Sequence, residues 1–416
     1  MRFLHTADWH IGKPLRGRSR MDEYAAALEE VAGTAIAARV DAVLLAGDVF
    51  DSPAPPPDAE KLVYDFLARL IPERIACVVI AGNHDHPRRL GALSRLVEGL
   101  GIHIRAQVRP PGEGGVVALR GRDGQEEARV AVLPFVPEGK IVDVCQVMGP
   151  EDGWYKAYAA RIEQMLARLT SGLTSSTVNL VLAHLLVDGA RVGAGERPLH
   201  LGQIYGVNPQ QLPARVQYIA LGHLHRPQEI LAPARTLYSG SLISLDFGEV
   251  EQEKRVVIVE AKPGRTAAIE SVPLTAGRPL RDVSGTFEEL ALRAPELKSA
   301  FLRVAVRVDG PVPGLAEQVK ELLPDAVEVT LDYARKPAAA DPGRTRSMAP
   351  AELFGEFYRL RNGAEASDDL RKLFEVVYEE AHGGAPTETE TKTETKTEAR
   401  SGARPTEEVS LSGARS

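Results

Sequence analysis

Asp41-Ala42-Val43-Leu44-Leu45-Ala46-Gly47-Asp48 is an unbroken apolar run that stops on a glycine and a carboxylate. A short apolar run of this kind reads as a buried strand, and the Gly-Asp reads as the loop leaving its carboxyl end. Working outward, the same grammar recurs. Phe3-Leu4-His5 precedes Asp8-Trp9-His10, and Ile75 to Ile80 precedes Gly82-Asn83-His84-Asp85. Val178 to Ala183 precedes His184, and Val216 to Leu221 precedes Gly222-His223-Leu224-His225. Between the early strands the spacing predicts helices over Met21 to Arg39, over Asp58 to Leu70 with Asp58 as its cap, and over Leu90 to Leu100, followed by a strand at Ile102-His103-Ile104. Alternation of strand and helix implies a largely parallel sheet with crossover connections.

From about residue 115 the strands become hairpin-like, at Gly115 to Arg120 and Ala128 to Leu133. A helix is expected around Trp154 to Leu169, a strand at Thr236 to Tyr238, and a closing hairpin from Arg255 to Glu260 with Ala267 to Val272. The expected fold class is α/β, a two-sheet β-sandwich flanked by helices over residues 1–276. A small α+β domain is expected over 277–335, with a strand at Phe301 to Val308, a helix at Pro313 to Leu323 and a strand at Ala326 to Leu331. Residues 336–348, rich in Pro, Ala, Asp and Arg, read as a linker. Two amphipathic helices follow in 349–382, carrying Leu353, Phe354, Phe357, Tyr358 and Leu360, then Leu373, Phe374, Val377 and Tyr378. This helix-loop-helix is either a docking module for a partner's helices or a segment that folds back on the main body. The tail from 383 to 416 repeats Thr-Glu and Thr-Lys and is expected to be disordered.

The 416 residues make two or three units the expectation, and a 44% hydrophobic, 26% charged composition is that of a globular protein. Only Cys77 and Cys145 occur, without a CxxC pair, which excludes a disulfide framework or thiolate metal site. Any metal must be held by His, Asp and Asn. No apolar run approaches the ~20 residues that span a bilayer, and Met1 to His5 is too short for a signal peptide. A cytoplasmic, nucleoid-associated protein without membrane attachment is expected. The net charge of −7 weighs against a dedicated DNA-binding protein, although local arginine clusters and bound cations can set the field where DNA would lie.

Loops at the carboxyl ends of parallel strands converge at one sheet edge, so the polar residues of the five segments are expected to meet. Neutral imidazoles and carboxylates suit Mn²⁺, Fe²⁺ or Zn²⁺ in open coordination. A carboxylate such as Asp48 can bridge two cations ~3.5–4 Å apart, the separation used for in-line phosphoryl displacement. Taken alone, each segment has a plainer reading. Asp-x-His can be a cap or surface pair, Gly-Asp a helix N-cap, Gly-Asn-His-Asp a turn with left-handed positions, and His184 a satisfied core histidine. Their joint occurrence after five strands points to a two-metal phosphoesterase.

This series, Asp-x-His, Gly-Asp, Gly-Asn-His-Asp, His and Gly-His-x-His, resembles that of the calcineurin-like metallophosphoesterases. More narrowly, His5-Thr6-Ala7-Asp8-Trp9-His10-Ile11-Gly12, Gly47-Asp48-Val49-Phe50-Asp51 and Ala81-Gly82-Asn83-His84-Asp85 resemble the SbcD family of bacterial nuclease subunits. The likeness extends to Tyr238-Ser239-Gly240-Ser241 and Asp246-Phe247-Gly248-Glu249, and covers roughly residues 1–382. The resemblance implies that Asp8, His10, Asp48 and His225 bind one divalent metal and that Asp48, Asn83, His184 and His223 bind the other, with Mn²⁺ as the ion. His84 would be the catalytic histidine, stabilising the transition state or protonating the leaving 3′ oxygen, with Asp85 orienting it. His5 and His103, inside strands, read as packed or peripheral. Asp51 stands where archaeal relatives have a histidine, so the role of that position stays unassigned.

The resemblance further implies a Mn²⁺-dependent nuclease, a 3′–5′ double-strand exonuclease and single-strand or hairpin endonuclease. It would act on DNA with an SbcC-like, SMC-type ATPase docked on the C-terminal helix pair. The small domain would cap the site and bind DNA. A homodimer, and with the partner a heterotetramer, would form through the helices after the second and third motifs; the apolar faces of Leu62, Val63 and Phe66 and of Leu90, Leu93 and Leu96 are compatible with that, and core packing explains them equally well. Lys13, Arg16, Arg18, Arg20, Arg88, Arg89 and Arg226 beside the loops read either as a rim of phosphate contacts or as ordinary surface arginines. Two alternatives remain: the same chemistry on small phosphodiesters or phosphoproteins, and a non-catalytic scaffold. No expected ligand is missing, which counts against the scaffold.

Overall fold

The structure, a computed structural model, describes residues 1–137, 151–193, 206–333, 349–362 and 365–382. The linker expected at 336–348, the tail expected at 383–416 and Cys145 lie outside the described residues. The chain divides into two compact units, Met1–Ala334 and Arg335–Ser416.

In the first unit β1 (Arg2–Thr6), β2 (Ala42–Leu45), β3 (Ala76–Ile80) and β4 (Ile102–Arg105) lie parallel and in order. The hairpin of β11 (Arg255–Lys262) and β12 (Arg265–Pro273) closes this sheet by pairing β11 antiparallel to β1. A second six-stranded sheet contains β5 (Val116–Arg120), β6 (Glu127–Leu133), β7 (Val178–His184), β8 (Tyr218–Gly222), β9 (Gln228–Ile230) and β10 (Thr236–Tyr238), with β10 between β8 and β9. β6, β7 and β8 are parallel, so here too the carboxyl ends point one way.

The period of two along each strand sorts side chains into layers. Phe3, Ala42, Leu44, Val78 and Ile80 meet Val130, Val132, Leu180, Leu182 and Ala220 between the sheets. Leu4, Val43, Leu45, Cys77 and Val79 face outward, against helices α1 (Met21–Ala37) and α2 (Pro57–Leu70). Val181, Ile219 and Leu221 on the other outer face pack with Tyr158, Ile162 and Leu166 of α3 (Glu151–Thr170). The central strands β2, β7 and β8 are therefore dry on both faces, and each fully buried Val, Leu, Ile or Phe contributes roughly 1.5–3 kcal/mol.

Two local expectations are corrected. The second helix begins at Pro57 behind Pro56, with no side-chain cap; Asp58 sits in its first turn, where it complements the helix dipole. The helix expected over Leu90 to Leu100 is broken into short turns at Pro87–Leu90, Gly91–Leu93, Ser94–Val97 and Glu98–Leu100. Gly91 and Gly99 fall inside that stretch, and each costs about 1 kcal/mol relative to alanine in a continuous helix. Val63 and Phe66 belong to the core, whereas Leu96 is exposed.

A third sheet of β13 (Leu280–Gly285), β14 (Phe301–Arg307) and β15 (Ala326–Asp332) is parallel throughout. Helices α4 (Phe287–Arg293) and α5 (Leu315–Leu322) make its crossovers, and Thr286 with Glu289 forms a capping box on α4. Leu15 and Phe247 of the sandwich pack with Leu280 and Phe301 of this sheet. Arg16 donates to Glu328 at 2.9 Å and Arg18 to the Pro324 carbonyl at 2.8 Å, tying the first loop to β15.

The second unit contains α6 (Pro350–Asn362) and α7 (Asp368–His382). Phe354 stacks on Phe374 at 4.3 Å between ring centres, while Leu353, Phe357, Leu373 and Val377 stay exposed. No helix among the described residues is long and apolar enough to cross a membrane.

Candidate metal centre

The five loops leave β1, β2, β3, β7 and β8 at their carboxyl ends and interlock through the backbone. Asp8 N donates to Gly47 O at 3.1 Å and His10 N to Asp48 O at 3.0 Å. Asp8, His10, Asp48 and His223 all take positive φ, at 50°, 46°, 49° and 107°. This conformation is uncommon for residues with a side chain, and its concentration at the expected ligands marks a site held under backbone strain. Gly47 is part of the same lock: a Cβ there would lie 2.4 Å from His184 Nδ1 and 2.9 Å from Gly82 N.

All seven expected ligands come together. Asp48 is central, its Oδ2 lying 3.5 Å from His10 Nε2 and 3.6 Å from His184 Nε2. His225 Nε2 is 3.1 Å from His10 Nε2 on one side of it. On the other side Asn83 Oδ1 is 3.0 Å from His184 Nε2 and 2.9 Å from His223 Nδ1. Asp8 accepts from His223 N at 2.8 Å. Two groups, His10 with Asp48 and His84, and Asp8 with Asp48 and His184, have ligand atoms within 4.8 Å of one another.

The donor chemistry fits cations. Ala46 O, which can only accept, is 2.8 Å from His184 Nδ1, so that nitrogen carries the hydrogen. His184 Nε2 then presents a lone pair toward the Asn83 carbonyl oxygen and Asp48, a convergence of acceptors that suits a shared positive ion. Burial, opposed by Asp51 and Asp48, lowers His10 to about 4, and burial likewise lowers His184. Both rings are therefore neutral and able to ligate at neutral pH. Burial alone would raise Asp48, but the charge that His184, His10 and His84 carry when protonated, together with the His84 N–H, outweighs it and holds the carboxyl below its ordinary range. Asp8, His10, Asp48, His184 and His225 are buried, whereas His84 and His223 are partly exposed and Asn83 is exposed. The cluster therefore opens to solvent at Asn83, His84 and His223.

His84 sits at this opening with Nδ1 2.8 Å from Asp51 O and its ring 4.6 Å from that of His10. The expected orientation of His84 by Asp85 is corrected. The Asp85 carboxylate accepts from the backbone N–H groups of Gly82, Phe50 and Val49 at 2.9, 3.0 and 3.1 Å, stapling the second loop to the third. Burial, then the nearby Asp48, push Asp85 up to about 7 against those three amides.

Three further residues, none of them assigned a role from the sequence, adjoin the cluster. Glu249, fully buried, is 2.8 Å from His225 Nδ1. Asp51 lies 3.6 Å from His10 Nδ1 and 3.2 Å from Lys13 Nζ. Phe135 stacks on His223 at 6.3 Å between ring centres. Peripheral histidines fall as expected: His5 is buried, its Nε2 donating to Leu221 O and its Nδ1 accepting from the Tyr218 hydroxyl, while His103 pairs with Glu98. His86 caps the short helical turn that follows it. Of the basic residues read either as a phosphate rim or as ordinary surface arginines, several are committed internally. Arg16 binds Asp246 and Glu328, Arg20 is buried against Glu23, and Arg89 binds Glu60. Arg88 and Arg226 are exposed.

Residues 1–227 match the calcineurin-like phosphoesterase family, and residues 276–362 match the family described as the type 5 capsule protein repressor C-terminal domain. The chain is 33% identical over 391 residues to the SbcD subunit of the SbcCD nuclease of Bacillus subtilis (strain 168), an alignment covering 90% of this chain and 97% of that one. It is 33% identical over 381 residues to the SbcD subunit of Rhodobacter capsulatus, covering 85% and 93%. With the SbcD subunit of Escherichia coli (strain K12) the identity is 29% over 324 residues, covering 74% and 77%.

Proposed function

This chain belongs to the calcineurin-like phosphoesterase family and, within it, to the SbcD nuclease subunits, and from that premise we propose how its residues divide the work. It is a nuclease, a hydrolase of phosphodiester bonds. Asp8, His10, Asp48 and His225 hold one divalent cation, and Asp48, Asn83, His184 and His223 hold the second, with Mn²⁺ as the ion. Bound there, the pair supplies Lewis-acid charge to a phosphodiester and to the attacking water.

The protein's own contribution is to keep the donors in place. Asp48 stays ionised between the two sets, and the buried imidazoles stay neutral. His84 is the catalytic histidine. Its Nδ1–H is held on the Asp51 carbonyl, which leaves Nε2 to meet the substrate; from the imidazolium form, Nε2 gives its proton to the leaving 3′ oxygen and the ring is left neutral with Nδ1–H still on Asp51. Asp85 acts at a distance, by fixing the loops that carry Asp48 and His84. DNA enters on the side of Asn83, His84 and His223, with Arg88 and Arg226 contacting phosphates.

Residues 1–276 form the nuclease domain, and 277–335 the domain that caps it and binds DNA. The exposed apolar face of the helix pair docks an SbcC-type, SMC-like ATPase, and the chain works as a homodimer in the cytoplasm. Double-strand 3′–5′ exonuclease and hairpin or single-strand endonuclease activities follow from the same site. The observation that carries the metal chemistry is the placement of Asp48 within 3.6 Å of imidazole nitrogens from two different sheets. The test is to incubate the purified protein and Mn²⁺ with hairpin DNA, linear duplex and p-nitrophenyl phosphate esters. Cleavage of DNA is expected, and cleavage of the small esters alone would refute the nuclease assignment.

A further inference from the structure

We propose that Glu249 is the positioning residue that makes His225 a metal ligand, and that it sets the affinity of one of the two cations without affecting the other. The inference rests on the metal-site reading above. Glu249 ends the short turn Phe247–Glu249, and its side chain is fully buried beneath His225. Its Oε1 lies 2.8 Å from His225 Nδ1. Its Oε2 accepts from Lys254 Nζ at 2.7 Å and Leu245 N at 3.0 Å, with Ser241 Oγ at 3.4 Å.

A carboxylate facing an ammonium, an amide and an imidazole nitrogen acts only as acceptor, so the hydrogen on His225 is fixed at Nδ1. The lone pair then lies on Nε2, the atom that faces His10 Nε2 at 3.1 Å. A carboxylate behind a ligating imidazole also increases its basicity and holds the ring in plane. Lys254 ties the pair together from both ends, since its Nζ also donates to the His225 carbonyl at 3.1 Å. The turn is braced from outside as well. Phe247 packs with Leu15, Leu280 and Phe301, and Arg303 lies over its ring at 5.0 Å. His184 in the other set is held instead by the Ala46 carbonyl, from a different strand end. Loss of Glu249 should therefore reach only the His225 side.

The alternative is that Glu249 merely neutralises Lys254. The double variant Glu249→Leu/Lys254→Met separates the two, because it leaves no unpaired buried charge. Mn²⁺ binding to the full chain is measured by calorimetry, with circular dichroism to check folding. Wild type is expected to bind two ions. The double variant should keep one with unchanged affinity and bind the other about 10–100-fold more weakly. Lys254→Met alone should keep both ions. Glu249→Gln, nearly isosteric and still offering an acceptor, should weaken the same ion by a smaller factor, and it serves if the double variant folds poorly. Wild-type affinity for both ions in the double variant and in Glu249→Gln, or equal weakening of both, would overturn the proposal. Failure of the wild type to bind two ions would instead remove the metal-site reading, and the proposal with it.

Discussion

Replacing Gly47 with alanine probes the lock between the two sheet ends, and its cost can be worked out before the experiment. Gly47 has φ +89°, and an added Cβ would sit 2.4 Å from His184 Nδ1 and 2.9 Å from the backbone nitrogen of Gly82. Holding alanine in a left-handed conformation costs roughly 1–2 kcal/mol. The His184 ring must retreat by about 1 Å to reach ordinary contact, and overpacking of this kind costs roughly 1–3 kcal/mol. The ring is pinned by its 2.8 Å hydrogen bond to Ala46 O, whose loss adds about 1 kcal/mol. The sum is roughly 3–6 kcal/mol, a large part of the 5–15 kcal/mol that usually separates native from unfolded protein. The assay is urea unfolding in EDTA, where bound ions contribute nothing, followed by Mn²⁺ titration. Gly47→Ala should unfold at markedly lower urea, and the ion assigned to Asp48, Asn83, His184 and His223 should bind more weakly. Gly172→Ala, whose Cβ would meet nothing within 4 Å, is the control. Stability within about 1 kcal/mol of wild type, with unchanged ion binding, would refute the claim that the junction is rigid.

His84→Ala should retain both ions while the turnover rate for DNA falls by about 10²–10⁴-fold; a normal rate would remove His84 from the chemistry. Asp48→Asn should weaken both ions in metal-content measurements, and loss of a single ion would show that Asp48 is not shared. Burial lowers His5 from 6.5 to about 3, so its neutral ring contributes stability that is complete above pH 6.5 and lost as pH falls toward 3. That loss amounts to about 1.4 kcal/mol per pH unit. Urea unfolding in EDTA at pH 7, 6 and 5 should give a shallower pH dependence for His5→Asn than for wild type, and equal slopes would contradict the buried neutral ring.

The repeated pattern of apolar strand then polar loop was legible because it is local. A strand buried on both faces has to be apolar along its length, and the residues after its last turn of chain are the first ones free to be polar. That is why Asp8, Asp48, Asn83, His184 and His223 could be picked out in order. Shorter elements escaped. β9 has three residues and β13 carries Arg281 and Asp282, so neither presents an apolar run. The segment from 90 to 100 has apolar spacing, yet its glycines divide it into separate turns. Asp85 was misplaced for a different reason. Adjacency to His84 suggested a partnership, but the carboxylate turns back to amides of the Asp48 loop, 35 and 36 residues away in sequence.

The sequence by itself determined which residue types reach the carboxyl edge of each sheet, because strand periodicity and loop position are properties of a few neighbouring residues. It could not determine which nitrogen of each imidazole faces inward. That depends on a hydrogen bond behind the ring, and those partners are distant in sequence: Ala46 lies 138 residues from His184, and Tyr218 lies 213 residues from His5. The same holds for the arginines of the first loop, which sequence alone left open between a phosphate rim and ordinary surface residues. Arg16 meets Glu328 across 312 residues, a pairing that exists only because the third sheet folds against the sandwich. A carboxylate near an arginine decides the fate of its charge, and only the tertiary structure brings one there.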